Sequence, residues 1–284
     1  MNGIVIVDKP SNWTSHDVIN KIKKILKIKK IGHAGTLDPL ATGVLVVLLN
    51  GATKLSDYLL ADEKEYVFEV VVGVATDTED ASGNVTDVKA VNELGNVDEV
   101  LAGLVGPLKQ KPPMYSSVHY QGRKLYEYAR EGQTLDRIAR DVHIYEMKRI
   151  SEIIYKENKA VFSASARVSK GTYIRSLAVE IGNRLNFPAY LGSLRRIASG
   201  NFKIEDAVTI DEIEKDNFKI ITMLDAMKNY KSIEVSKSNY ENIMNGIPIL
   251  LDCHDDEVVL SFNNEMIAIY ERDGLQYKAK RVWK

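Results

Sequence analysis

Gly32-His33-Ala34-Gly35-Thr36-Leu37-Asp38-Pro39-Leu40-Ala41-Thr42-Gly43, followed at once by Val44-Leu45-Val46-Val47-Leu48-Leu49, is the stretch that decides how this chain reads. Its second half is an unbroken apolar run, short enough for a strand buried on both faces. Its first half is a loop of glycines and small residues that carries one carboxylate. Asp38 precedes Pro39 and is thereby pushed out of the α region into an extended conformation. Gly35 and Gly43 allow tight turning or close approach by another backbone. The sequence therefore places one acid on a stiff loop against a buried strand, where catalytic groups often sit. An isolated Asp-Pro also serves simply to punctuate a turn.

Composition narrows the class. A chain of 284 residues has room for one large domain and a small one, with 45% hydrophobic and 27% charged residues as in ordinary globular proteins. The single cysteine, Cys253, excludes an intramolecular disulfide and a cysteine-based zinc site. The N-terminal stretch from Met1 to Asp8 lacks the basic and long apolar regions of a signal peptide, and no apolar run approaches spanning length, so a cytoplasmic protein with no membrane contact is expected. The net charge of -1 does not advertise a nucleic-acid binder, but the charges are unevenly distributed. Lysines gather at positions 21, 23, 24, 27, 29 and 30, whereas acids gather at Asp77, Glu79, Asp80 and Asp87 and again between Asp252 and Glu257.

Along the chain, Gly3 to Asp8 reads as a buried strand, and Thr14 with Asp17 forms a capping box. The helix that follows spaces Val18, Ile19, Ile22, Ile25 and Leu26 on one face, leaving its lysines as a solvated face or an RNA contact. A short amphipathic helix is expected over 52–61, a strand over 67–73, a hairpin-like excursion around 76–84 and a helix over 97–104. Between Lys109 and Arg140, arginines interleave with tyrosines, which suits phosphate contact and base stacking as well as an ordinary amphipathic surface helix. Residues 141–154 and 159–168 read as paired strands across a Glu157-Asn158 turn. Lys170, Tyr173 and Arg175 then mark a basic strand-to-helix junction opening a helix to about Asn186. A helical connector is expected over 210–225, and from about Ser232 short strands at 257–262, 266–270 and 277–282 suggest a small β domain.

GHAGTLDPLATG resembles the catalytic motif of the TruB family, bacterial type, the pseudouridine synthases that isomerise uridine 55 in the T arm of tRNA. Further blocks resemble the family in order: VDKP with TSHDV, the Lys-x-Tyr before the strand at Val67, TDTEDASG, PPMYSS with GRKLYEYAR, SKGTYIRS, and LRRIASGNF. Ser117 stands where the family usually has alanine, and Gly192 where a bulkier residue is common. The resemblance implies an α+β chain with the pseudouridine synthase fold: a mixed, largely antiparallel sheet flanked by helices, with a small C-terminal β domain resembling PUA. The catalytic domain would span 1–228, with an RNA-binding insertion at about 109–140, and the PUA-like domain 232–284. Asp38 would be the nucleophile and Arg175 its partner, favouring the charged carboxylate. Tyr66 would hold the base and take part in proton removal. His33 would fill the space left by the flipped base, Tyr173 and Leu194 would line the uracil pocket, and Lys9 would brace the first strand at the substrate site.

Converting uridine to pseudouridine breaks an N-glycosidic bond, turns the base and rejoins it through carbon. No cofactor and no metal are expected. Whether Asp38 attacks the ring or the sugar is open at this level. The partner implied is tRNA, through its T arm and, by way of the C-terminal domain, its acceptor end, with a monomeric enzyme and no guide RNA. Two other classes fit parts of the pattern. A non-catalytic RNA-folding module would use the same basic and aromatic stretches but gains nothing from a fixed acid facing phosphates. An aspartate-dependent hydrolase would ordinarily show a second carboxylate or a histidine base beside the nucleophile.

Overall fold

The computed structural model describes residues 1–60 and 63–283. Its centre is the Thr42–Leu49 strand, whose residues from Gly43 onward are all buried. The run is unbroken in sequence because both faces are covered. Val44, Val46 and Leu48 point into one core, and Leu45, Val47 and Leu49 point into another. The second core is closed by Val18, Ile19 and Ile22 of the Ser15–Leu26 helix, the apolar face expected from their spacing. The first is closed by residues of the C-terminal sheet, including Val259, Met266 and Ile269, and by Trp283 just beyond it.

Among the described residues, the main sheet runs from the Gly3–Lys9 strand through Thr42–Leu49, Ala189–Ser199, Glu63–Val72, Lys159–Ser169 and Arg140–Arg149 to Gly106–Gln110. Its pairings are antiparallel except one: Ala189–Ser199 lies parallel to Thr42–Leu49 over Arg195–Thr42 and Arg196–Gly43. The sheet is thus mixed and largely antiparallel. On its front face Tyr66, Phe68 and Val70 alternate inward against Ile174, Leu177, Ala178 and Ile181 of the Ile174–Arg184 helix.

The single parallel contact depends on a glycine. Gly43 has φ +96°, and a Cβ there would lie 2.2 Å from the carbonyl oxygen of Arg196. Any side chain would force the two strands apart.

Several local expectations are corrected. Ile31–Ala34, read as loop, is a strand paired with Thr42–Leu49, because its register places Ala34 opposite the buried Val46. The short helix expected over 52–61 is a 3-10 turn at Asn50–Leu55, and Ala61 lies outside the described residues. The connector over 210–225 is helical only at Ile210–Glu214 and Met223–Ala226. Between them the chain extends so that Ile221 bonds to the edge of the first strand at Ile4. The C-terminal region adds a helix, Lys237–Met244, to its four-stranded sheet of Lys231–Glu234, Glu257–Phe262, Glu265–Asp273 and Gln276–Val282.

The small sheet is not an appendage. Besides sharing a core with the main sheet, it is joined to the Asn50–Leu55 turn by polar contacts. Trp283 Nε1 donates to Gly51 O at 2.9 Å and Arg281 donates to Lys54 O at 3.0 Å. The insertion leaves and rejoins the sheet at one point, since Gln110 and Arg140 are register partners.

Gly43→Ala is expected to cost roughly 2 kcal/mol or more, well above an ordinary glycine-to-alanine change in a loop. Chemical denaturation beside Gly32→Ala, where a Cβ meets nothing closer than 3.6 Å, provides the control. Equal stabilities would refute the close-approach argument.

Candidate active site

The loop carrying Asp38 is held from both sides by the segment between the first strand and the first helix. On one side, Ser15 Oγ accepts from Leu37 N at 2.9 Å and donates to Leu37 O at 3.2 Å, fully buried. On the other, Lys9 Nζ donates to Pro39 O at 3.1 Å, and also to Pro10 O at 2.8 Å and Trp13 O at 2.5 Å. Asn12 N adds a bond to Pro39 O. With both chain neighbours pinned, the Asp38 side chain, 41% exposed, projects from a rigid backbone.

Arg175, in the first turn of the Ile174–Arg184 helix, meets it from the opposite side. Its Nε lies 2.9 Å from Asp38 Oδ2, although the N–H is not aimed along that line, so the contact is ionic. Its terminal nitrogens donate to Thr78 O at 3.2 Å and Tyr115 O at 2.9 Å. The guanidinium is almost wholly buried and ties three separate segments to one carboxylate. A second acid, Asp80, stands 3.9 Å from the same Nε. Asp80 is 6% exposed and its Oδ1 accepts from Thr78 Oγ1, Ser82 Oγ and Ser82 N. The sequence grouped it with Asp77, Glu79 and Asp87 as an acidic cluster. Its neighbours Asp77 and Asp87 are exposed, but Asp80 turns inward because Thr78 and Ser82 satisfy it there. The hydroxyl residues two positions to either side of it were the available signal.

Arg196 organises the other wall. It is fully buried, donating from Nε to Val44 O at 2.8 Å and from Nη2 to Gly35 O at 3.0 Å. Its register partners are Gly43 and Tyr66, which brings Tyr66 beside the motif loop. Burial pushes the Tyr66 phenol above its ordinary value, more than the neighbouring Arg196 pulls it down. Tyr66 is therefore a neutral ring and hydroxyl at physiological pH, with Arg196 as the cation beside it. Arg196 lay inside a motif noted in the sequence but drew no role, because a strand arginine is ordinarily a surface residue.

His33 is half-buried, and burial followed by the charge of Arg196 lowers its pKa, so the imidazole is neutral near pH 7. Leu194 is buried in the same core cluster as Tyr66 and Leu37. Tyr173 joins through the backbone: its N–H donates to Gln110 Oε1 at 2.7 Å, its carbonyl accepts from Gln110 Nε2 at 2.9 Å, and Arg175 follows two residues on. Lys9 braces the site as expected, but its expected role as a substrate-binding residue is corrected: it is 0% exposed and spends its donors on three carbonyls within the protein. Among the described residues, buried side-chain atoms with no hydrogen-bond partner in the protein include His33 Nδ1, Ser116 Oγ, Arg137 Nε and Arg175 Nε. Arg175 Nε faces Asp38 in the ion pair and Ser116 follows Tyr115, whose carbonyl Arg175 holds, whereas buried polar groups in proteins are usually satisfied. No three His, Cys, Asp or Glu side chains among the described residues converge as metal ligands, and no helix there is long and apolar enough to cross a membrane.

Residues 23–174 match the family model described as TruB family pseudouridylate synthase, N terminal domain. The chain belongs to the TruB family. Similar TruB relatives include a tRNA pseudouridine synthase B of Streptococcus sanguinis, 40% identical over the whole of both chains. Another, from Staphylococcus epidermidis, is 45% identical over 86% of this chain and 84% of its own. The fold is that of the pseudouridine synthases. A chain from a crystallised Cbf5-Nop10-Gar1 complex superposes with TM-score 0.69 and 25% identity, covering 99% of this TruB chain and 84% of its own length. A chain from an H/ACA RNP bound to a substrate RNA containing 2'-deoxyuridine gives TM-score 0.69 at 23% identity.

The brace at Lys9 has a pH signature. Burial lowers its pKa from 10.5 to about 8, outweighing the attraction of Asp38 and Asp17. Above that value the folded chain has lost the proton while the unfolded chain keeps it until its ordinary value, so this site's contribution to stability rises with pH across the window. Relative to Lys9→Met, the wild type is expected to gain stability between about pH 7 and pH 10 in parallel denaturation series. A difference that is flat or falls would show that the ammonium is not buried as described.

Proposed function

We propose that this protein converts uridine to pseudouridine at position 55 in the T arm of tRNA, with Asp38 as nucleophile. The observation that carries the reading is the Asp38–Arg175 contact, made by a carboxylate whose two chain neighbours are pinned. An acid held in this way keeps its geometry while a base is brought to it. Arg175 sets an opposite charge directly against the attacking carboxylate. The uridine is extruded from the folded loop at the cost of unstacking. It then lies against Tyr66 and Leu194, with Tyr173 beside Arg175 and His33 entering the stack in its place. The bond from sugar to N1 breaks, the base turns, and the sugar rejoins at C5. C5 loses its proton and N1 gains one, so the product is an isomer of the substrate.

Residues 1–228 supply this chemistry, and the 109–140 insertion and the 232–284 PUA-like domain supply RNA contact, the latter toward the acceptor end. The insertion already shows cations on rings, with Arg123 over Tyr128 at 4.5 Å and Arg130 over Tyr126 at 5.2 Å. We read the enzyme as a cytoplasmic monomer that needs no guide RNA.

Asp38→Asn is expected to abolish turnover on a T-arm hairpin, measured by tritium release from C5-labelled uridine. Its RNA affinity should stay within roughly tenfold, about 1.4 kcal/mol. Sustained turnover by purified Asn protein would exclude Asp38 as nucleophile. Arg175→Lys keeps the charge but cannot reach Asp38, Thr78 O and Tyr115 O together, so a fall in kcat of at least roughly tenfold is expected with RNA binding retained.

The Ser15–Leu26 helix leaves Lys23, Lys24 and Lys27 exposed, whereas Lys21 is paired with Glu214 at 2.6 Å. If the free lysines meet phosphates, replacing all three by Gln should flatten the salt dependence of tRNA affinity. An unchanged log–log slope would mark that face as merely solvated.

A further inference from the structure

The insertion is tied to the site at its root, and one of these ties runs through a residue with no role so far. Glu79 sits between Thr78, whose carbonyl Arg175 holds, and Asp80, which faces the same guanidinium. Its backbone has φ +63°, a left-handed conformation uncommon outside glycine, and is held by bonds from its N–H to Thr76 O and from Leu191 N to its carbonyl. A carboxylate is therefore directed inward at some conformational cost. Glu79 Oε2 accepts from Ser176 Oγ at 2.7 Å, on the residue after Arg175, and Oε1 lies 3.7 Å from Arg137 Nη1.

Arg137 belongs to the returning limb of the insertion. It also donates from Nη1 to Pro112 O at 2.9 Å, closing the two limbs on each other, while its Nε is buried without a partner. Between these limbs, Tyr115 O takes a bond from Arg175. The 3.7 Å separation is that of an ion pair, too long for a hydrogen bond, and a shift of about 1 Å would convert it into a charge-assisted hydrogen bond. Burial pushes the Glu79 carboxyl up, against the opposing pull of Ser176, Arg175 and Arg137. A carboxylate in that position needs its cations to stay charged.

We propose that Glu79 and Arg137 are positioning residues that lock the root of the insertion to the segment holding Arg175, and that the pair tightens when RNA docks on the insertion. The inference rests on the reading of this chain as a pseudouridine synthase acting on RNA. RNA bound by the insertion is then held, through Arg137, Glu79 and Ser176, against the segment that carries Arg175. The pair acts on capture of the substrate, and the bond-making atoms are left to other residues.

The test is a double-mutant cycle with Glu79→Gln, Arg137→Gln, both together, and Arg137→Lys, each checked for folding by thermal melting. KM and kcat for pseudouridine formation are measured on a T-arm hairpin. Each single Gln variant is expected to raise KM by about tenfold with kcat within about twofold, the double variant to be no worse than either, and Lys at 137 to recover most of the loss. Single effects that multiply in the double variant, a fall in kcat at unchanged KM, or no effect at all would overturn the proposal. A wild-type protein that makes no pseudouridine would refute the functional reading instead. The cycle is then read in hairpin affinity, where the same non-additivity supports the lock and additivity or no effect overturns it.

Discussion

A guanidinium buried without exposure, that of Arg196, is what the rest of the structure is arranged around. Burying a charge is costly unless its donors are satisfied. Here they are satisfied by the carbonyls of Val44 and Gly35, one on the central strand and one on the loop leading to Asp38. The same residue pairs in register with Gly43 on one side and Tyr66 on the other. Removing those acceptors would strand the charge, so strand, loop and tyrosine are obliged to stay together. The missing side chain at Gly43 permits the approach, and the charge at Arg196 makes it necessary.

The site repeats this design on a smaller scale. Lys9, Ser15 and Arg175 each spend their donors on backbone carbonyls of segments far apart in the chain. Carbonyls accept from any suitable donor, so the specificity lies in the long side chains reaching them from fixed elements. Asp38 is left as the exposed acceptor among buried donors, with Asp80 as an internal counter-charge to Arg175. Such an arrangement fixes the position of the carboxylate beside its cation.

The two cores explain why the chain does not divide cleanly near Ser232. The central strand needs cover on both sides, and the C-terminal region provides one of the two covers through Val259, Met266 and Ile269 of its sheet and Trp283 beyond it. The separate cluster around Tyr270 and Tyr277 gives that sheet a core of its own. It therefore combines the identity of a domain with the structural role of a layer.

The sequence by itself determined the strand at Val44 to Leu49, the capped first helix and the hairpin turn at Glu157-Asn158, each from a signal contained within a few residues: an apolar run, a cap, or a turn between two alternating stretches. The pairing of Asp38 with Arg175 came from the family resemblance of two separate motifs. Tertiary structure alone decided the rest. Ile31–Ala34 became a strand because a neighbouring edge was available, and the 215–222 connector extended because Ile4 offered backbone partners. That Lys9 braces from within rather than touching substrate, and that Asp80 leaves its acidic cluster to become a buried counter-charge, has one reason. A charged side chain reads the same in sequence whether water or distant carbonyls satisfy it, and only the assembled fold specifies which of them surrounds it.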